Sequence, residues 1–474
     1  MGLLCIAPYA YFATTPEYKG IALMGQDAEE HYLARIQAAY EGDWRMGNIF
    51  MPDKSVPYLM PGLGEVVVAQ FGRAFGMAAP AINIATKALF PAGIFLLIYG
   101  FAFSISRTRS TALLAATAGM LATALMSNPR EILAFMHGLS IVDGITWARP
   151  INPSMTGLVL FGSLWMLYRL HNRKPSLAEI ATLGSLIGLS LYLSVYTWSF
   201  LGVLLLIVFG SALHQKDILR SGRIFAIGVL ALVYATPFFI NFVQARAHPA
   251  YSEVSNNLGA MASHSPELGL WLVVLLVVPV FFWPARLAQS RQYFIFCGAA
   301  LFIVLNQHVL TGFYLQPGHY HWYITKPLTG IVLALVGMEF LRRWTPLWAN
   351  DALCALAIAV LFTHGAFAQK HFYNNHAPEA RSAQAYAPLF EYLQHEPPAA
   401  VLASPTLSIY AAIYTPRDTP NHPYGIFYLS SSSDVENAFA IEDKKDISWK
   451  APQAGLTLLT TINGRFAIYR LPQK

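Results

Sequence analysis

Apolar runs recur along this chain at about 85–105, 110–126, 154–169, 177–194, 197–213, 223–243, 267–285, 291–309, 327–341 and 350–368. That many runs leave one kind of solution. Hydrocarbon about 30 Å thick is crossed by about 20 residues of helix, whose backbone groups satisfy one another. A further run, Gly2 to Ala13, is short for a crossing and has no basic segment before it. It reads as a clipped first helix rather than a signal peptide. The expectation is an all-α polytopic membrane protein of about 11 transmembrane helices. Composition agrees, with 12% of 474 residues charged and 55% hydrophobic. Soluble domains carry roughly 25% charged residues. The mean hydropathy is +0.44.

The charged residues that remain are not scattered at random. Arg107, Arg109, Arg173, Lys174, Lys216, Arg220, Arg223, Arg286, Arg291, Arg342 and Arg343 fall in one set of short connections. The alternate connections between spans hold Arg130, Arg149, Arg246 and Lys326. Basic loops mark the cytoplasmic side. The loops at 15–80, 127–153, 244–266 and 310–326 and the C-terminal tail are therefore expected outside. The net charge of +6 does not indicate nucleic acid, because the cations are spread over short loops. Cys5, Cys297 and Cys354 lie in apolar segments without a C-x-x-C pair, so neither a disulfide framework nor a metal spacing is present.

Two regions depart from the membrane pattern. Residues 15–80 are polar to amphipathic, with a Pro-rich crossing at Pro52, Pro57 and Pro61 and a second amphipathic helix near Leu63 to Phe75. After about residue 370 the composition becomes that of a soluble domain. Ala399 to Ser404 reads as a buried strand, and Asn463-Gly464 between two apolar segments is a hairpin signal. The division expected is a core at 1–368 and a small extracytoplasmic α/β domain at 369–474.

Long loops on one side only suggest that the chain acts on that side. Gln26 to Asn48 opens with Asp27, Glu29, Glu30 and His31, then repeats apolar residues at helical spacing. A carboxylate there suits a general base for an acceptor hydroxyl, or a ligand for a divalent cation. Asp27 and Glu30 equally suit a helix cap of the capping-box kind. In Trp147 to Pro153, WARPINP, Arg149 stands at a hydrocarbon boundary. Its guanidinium suits a lipid phosphate, or simply headgroups, with Trp147 as an interfacial anchor. Asn306 to Pro327 interleaves His308, His319, His321 and Lys326 with aromatic residues. On a strand His319 and His321 would share a face. Cations among aromatics suit a phosphorylated lipid donor or a stacked sugar, or else an aromatic belt. The 244–266 loop, with His248, Glu253 and His264, reads as a lid or a linker.

The acidic residue that opens the first outer loop in GQDAEEHYLARI, the amphipathic helices after it, and a many-helix core ending in an outer soluble domain resemble the C-type, polyprenyl-phosphate-sugar-dependent glycosyltransferases. Aminoarabinose transferases, protein mannosyltransferases and oligosaccharyltransferases share that plan. The resemblance implies an integral enzyme of the inner (plasma) membrane. It would move a hexosyl or pentosyl group from a polyprenyl-phosphate donor to a glycan, lipid or protein acceptor. By the resemblance Asp27 would be the catalytic or metal-binding carboxylate, with Glu29 and Glu30 as further catalytic candidates beside it. Substrate contacts would fall to His31, Arg149, His319, His321 and Lys326. Asp27 and Glu29 would be the pair for a divalent cation, Mg or Mn, forming D-x-E where D-x-D or D-E is usual. Donors confined to the membrane need no nucleotide-binding fold, and no G-x-G-x-x-G follows a strand here. The rivals are a transporter or lipid-linked-glycan flippase and a non-catalytic envelope-assembly protein. The first expects ionisable residues inside the spans, which read here as nearly free of charge. The second expects Asp27 to be replaceable.

Overall fold

The computed structural model describes residues 1–25, 29–47, 49, 60–174, 176–248, 251, 260–397, 399–417, 419, 438–446 and 457–470. Its helices are α1 (Gly2–Ala13), α2 (Glu29–Glu41), α3 (Leu63–Ala74), α4 (Ala79–Ser106), α5 (Arg109–Ser127), α6 (Pro129–Met136), α7 (Ser154–Asn172), α8 (Leu177–Ser190), α9 (Val195–His214) and α10 (Ile218–Arg246). They continue with α11 (Leu270–Phe281), α12 (Ala288–Asn306), α13 (Lys326–Leu341), α14 (Leu347–Ala383), α15 (Ala387–His395) and α16 (Pro405–Tyr414). Every apolar run expected to be a span falls on a helix. Among the described residues seven helices are long and apolar enough to cross a membrane, while α1, α8 and α11 are apolar but shorter.

The chain divides into two compact units. The first comprises 1–6, 87–238 and 258–372. Its core holds Phe101, Phe161, Leu164, Phe200, Tyr293, Phe294 and Ile331. Helices α5 and α13 can approach closely because small residues line their contact. Ala112, Ala115 and Ala116 are buried, and a Cβ on Gly330 would lie 3.0 Å from the Ala118 carbonyl oxygen. Small residues are how helices pack where lipid removes the hydrophobic drive to associate. Strands β1 (Ala260–Ala262) and β2 (Phe313–Leu315) form an antiparallel pair in this unit.

The second unit comprises 7–86, 239–257 and 373–474. Strands β3 (Ala400–Leu402), β4 (Ala438–Asp443), β5 (Thr457–Ile462) and β6 (Phe466–Arg470) form a sheet in the order β3-β4-β6-β5. The β3–β4 pair is parallel and the others are antiparallel. The expected hairpin is present, with Asn463 at φ 51° and Gly464 at φ 65°. Two successive left-handed residues are what a tight hairpin turn requires. Leu389, Phe390, Leu407, Tyr410, Ile441 and Ile468 bury this sheet under α15 and α16, and Ile21 joins the same core. The expected amphipathic helices are α2 and α3, joined by a buried ion pair, Arg35 Nε to Glu65 Oε1 at 2.7 Å.

Candidate active site

The acidic segment is built in the second unit. Glu29 is the first residue of α2 and is fully buried. Its Oε1 accepts from Asn83 Nδ2 at 3.1 Å. Its Oε2 accepts from the Gly25 N–H at 3.2 Å and from Tyr9 Oη at 3.5 Å. The residues leading to it are fixed in the same way. Gln384 Oε1 accepts from the Lys19 and Ile21 N–H groups at 2.7 and 3.3 Å, and its Nε2 donates to the Ile21 carbonyl at 2.8 Å. The Ala22 N–H donates to Tyr414 Oη at 2.7 Å, and burial pushes that phenol far above its ordinary pKa. A Cβ on Gly25 would lie 2.3 Å from Cγ of the His376 ring. Only glycine fits there.

Asp27, named from the sequence as the catalytic carboxylate, lies outside the described residues. Glu30 is half-buried and His31 is buried, with its ring edge-on to Tyr32 at 6.1 Å. The suggested D-x-E metal pair gains no support from Glu29, whose two oxygens already face N–H and O–H donors. Among the described residues no group of three His, Cys, Asp or Glu could hold a metal ion.

The cationic candidates lie in the first unit, on two segments. The 128–153 segment is held by helices in that unit. Glu131 in α6 is buried and accepts from Ser140 Oγ at 2.7 Å and the Ile141 N–H at 2.9 Å. Its Oε1 also meets His364 Nε2 of α14 at 2.7 Å. Gln369, one turn further along α14, accepts from the Ile145 N–H at 3.2 Å and donates to the Leu4 and Cys5 carbonyls at 3.0 and 2.9 Å. Lys87 of α4 is buried and donates to the Ala148 carbonyl at 2.8 Å. Beside Ala148 stands Arg149, whose Nη1 donates to Tyr323 Oη at 2.6 Å. Ile151 holds φ 52°, an outlier for a β-branched residue and a mark of stored strain. Trp147 is not an interfacial anchor. It is fully buried, packed on Phe161 at 5.8 Å, because Gly157 leaves room for its ring.

The second segment is helical, so the strand on which His319 and His321 would share a face is not formed. Residues 317–320 are α-helical and His321–Thr325 form a π-helical turn leading into α13. Pro317 occupies the first helical turn, where its missing N–H costs nothing. The two histidines therefore diverge. His319 stacks on Tyr196 at 4.7 Å and meets Tyr323 edge-on at 5.1 Å. His321 Nε2 turns to Glu267 Oε1 at 3.3 Å. Lys326 Nζ donates to Ser127 Oγ at 2.7 Å and lies 4.0 Å from the Trp322 ring centroid. Arg149 and His319 thus meet on Tyr323, while Lys326 is engaged at the C-terminal end of α5.

Lys87, Glu131, His364 and Gln369 belong to no motif in the sequence. Lys87 stood inside the 85–105 run as a lone charge, a signal that was available.

The chain is similar over 99% of its length to the crystal structure of ArnT from Cupriavidus metallidurans bound to undecaprenyl phosphate, with 96% of that chain covered, 14% identity and a TM-score of 0.50. It is also similar to the apo state of the same protein, at 15% identity and a TM-score of 0.48, covering 99% of this chain and 97% of that one. No protein-family model and no curated protein matches. At this level of identity the likeness is one of fold: the chain is a polytopic helical membrane protein with a small C-terminal sheet, built on the ArnT plan.

Proposed function

We propose that the chain is a membrane glycosyltransferase that moves a sugar from a polyprenyl-phosphate-linked donor to an acceptor hydroxyl on the extracytoplasmic face of the inner membrane. The observation that carries this reading is the Arg149 loop. Two cations, Lys87 and Arg149, are brought to adjacent residues of one strained loop, and Arg149 meets a turn of aromatic rings. The fold is that of a protein solved with a polyprenyl phosphate bound.

In this reading the acceptor oxygen attacks the anomeric carbon. The bond from that carbon to the phosphate oxygen breaks, and polyprenyl phosphate leaves with both electrons. Arg149 receives the charge that develops on the leaving phosphate, as a fixed guanidinium does well. Lys87 sets the loop and adds to its positive field. The acceptor's proton passes to a carboxylate of the acidic segment, and we assign that role to Asp27. Basic connections on the opposite side orient the chain so that this chemistry lies outside.

A transporter or flippase is the second reading, since Lys87 and His364 are ionisable residues inside helices long enough to span. Each, however, holds the 128–153 segment through Ala148 or Glu131 rather than standing apart from it. Detergent-solubilised protein separates the readings, because transport needs two compartments and transfer needs none. With a panel of polyprenyl-phosphate sugars and membrane-lipid or glycan acceptors, glycosylated product is expected. Donor binding without product from any member, together with flipping in vesicles, would favour the second reading.

A further inference from the structure

Glu29 has the surroundings of a structural pin rather than of a reactive group. It is fully buried at the first residue of α2, and its carboxylate collects donors from three separate stretches: Tyr9 of α1, Gly25 before α2, and Asn83 of α4. None of these three donors is charged. Gly25 is held twice, by Glu29 through its N–H and by the His376 ring against its Cα, where no Cβ would fit. Among the described residues Asn83 Oδ1 is buried without a hydrogen-bond partner.

We propose that Glu29 is a positioning residue. Its carboxylate fixes Gly25 and Asn83 to the start of α2. The inference rests on the proposed function for its catalytic consequence. It separates two roles that the sequence leaves merged in one acidic cluster. Glu29 builds the frame, and a carboxylate elsewhere in the segment takes the proton.

The unpartnered Asn83 oxygen makes this testable without charge. Glu29→Gln keeps an acceptor for Gly25 and Tyr9. Its new amide can donate to Asn83 once the Asn83 amide turns over. Transfer by Glu29→Gln should stay within about threefold of wild type, because geometry survives when the charge does not. Glu29→Ala should lower kcat by about 10²-fold with donor KM little changed, the scale of a misplaced reacting group. Asn83→Asp sets two carboxylates together and should fail similarly, and Glu29→Gln combined with Asn83→Asp should restore transfer. Amide hydrogen exchange at residues 21–25 should speed up in Glu29→Ala and stay slow in Glu29→Gln.

If Glu29→Gln is as impaired as Glu29→Ala while exchange stays slow, the negative charge itself is needed and the proposal is overturned. Normal transfer by Glu29→Ala overturns it as well. Should Glu29→Ala fail to fold, the double exchange with Asn83 still decides. Should the wild type transfer no sugar, the functional reading falls by itself. The exchange measurement then decides whether Glu29 holds the segment.

Discussion

Two loops are held in place by different sets of side chains. The 128–153 segment of the first unit is pinned by two ionisable side chains, His364 on Glu131 and Lys87 on Ala148, with the neutral Gln369 on Ile145. Residues 19–25 and Glu29 of the second unit meet the neutral groups of Gln384, Tyr414, Asn83 and Tyr9, with the His376 ring against Gly25. The difference fits the chemistry proposed for each. A phosphate site gains from nearby positive charge, so a buried lysine can serve as both anchor and field. A general base must keep its affinity for a proton, which a cation beside it would weaken. Arg35, the nearby cation of α2, is correspondingly engaged with Glu65.

The comparison can be broken from either side. The largest effect is expected from Glu131→Leu, which strands Ser140 Oγ, the Ile141 N–H and His364 in a buried place. Unfolding should become easier by about 3–5 kcal/mol, read as a sharp fall in the thermal midpoint of the solubilised protein. A midpoint within a degree of wild type would show that the 128–153 loop does not depend on its charged anchors.

Arg149→Ala comes next. Donor kcat/KM should fall about 10²-fold, as when one fixed donor to a developing oxyanion is removed. The thermal midpoint should hardly move, since Arg149 as a whole is only half-buried. Unchanged kinetics would remove the phosphate role.

On the neutral side, Tyr414→Phe leaves the Ala22 N–H without its acceptor. That should cost about 1–2 kcal/mol of stability, with donor KM unchanged. A raised donor KM and an unaltered midpoint would contradict the division of labour between the loops.

The smallest effect is expected at Lys326. Its ammonium is occupied by Ser127 and Trp322, so Lys326→Met should leave transfer within about threefold. A collapse of donor binding would return Lys326 to the phosphate site.

Much of this architecture is legible in the sequence wherever the determinant is local. Apolar length marks the helices, and the Asn463-Gly464 pair marks its hairpin. The spacing after Glu29 marks α2. The spacing of His319 and His321 leaves the conformation of 317–325 open, and Pro317 with the helix that follows makes it helical. The anchors are invisible for a different reason. Glu29 to Asn83, Glu131 to His364 and Ile21 to Gln384 join residues 54, 233 and 363 positions apart. No spacing rule connects such pairs. A lysine or histidine inside an apolar run is the one local sign of such an anchor, as with Lys87 and His364.

The most direct test replaces Asp27 with Asn and measures sugar transfer from a polyprenyl-phosphate donor beside expression and thermal midpoint. Asn caps a helix about as well as Asp, so a capping role predicts an active protein with stability changed by roughly 1 kcal/mol or less. The catalytic role predicts a folded protein whose turnover is down about 10²-fold or more, the scale general-base catalysis supplies. Near-normal transfer by Asp27→Asn would contradict the assignment of the base and leave the acidic segment as a helix start alone.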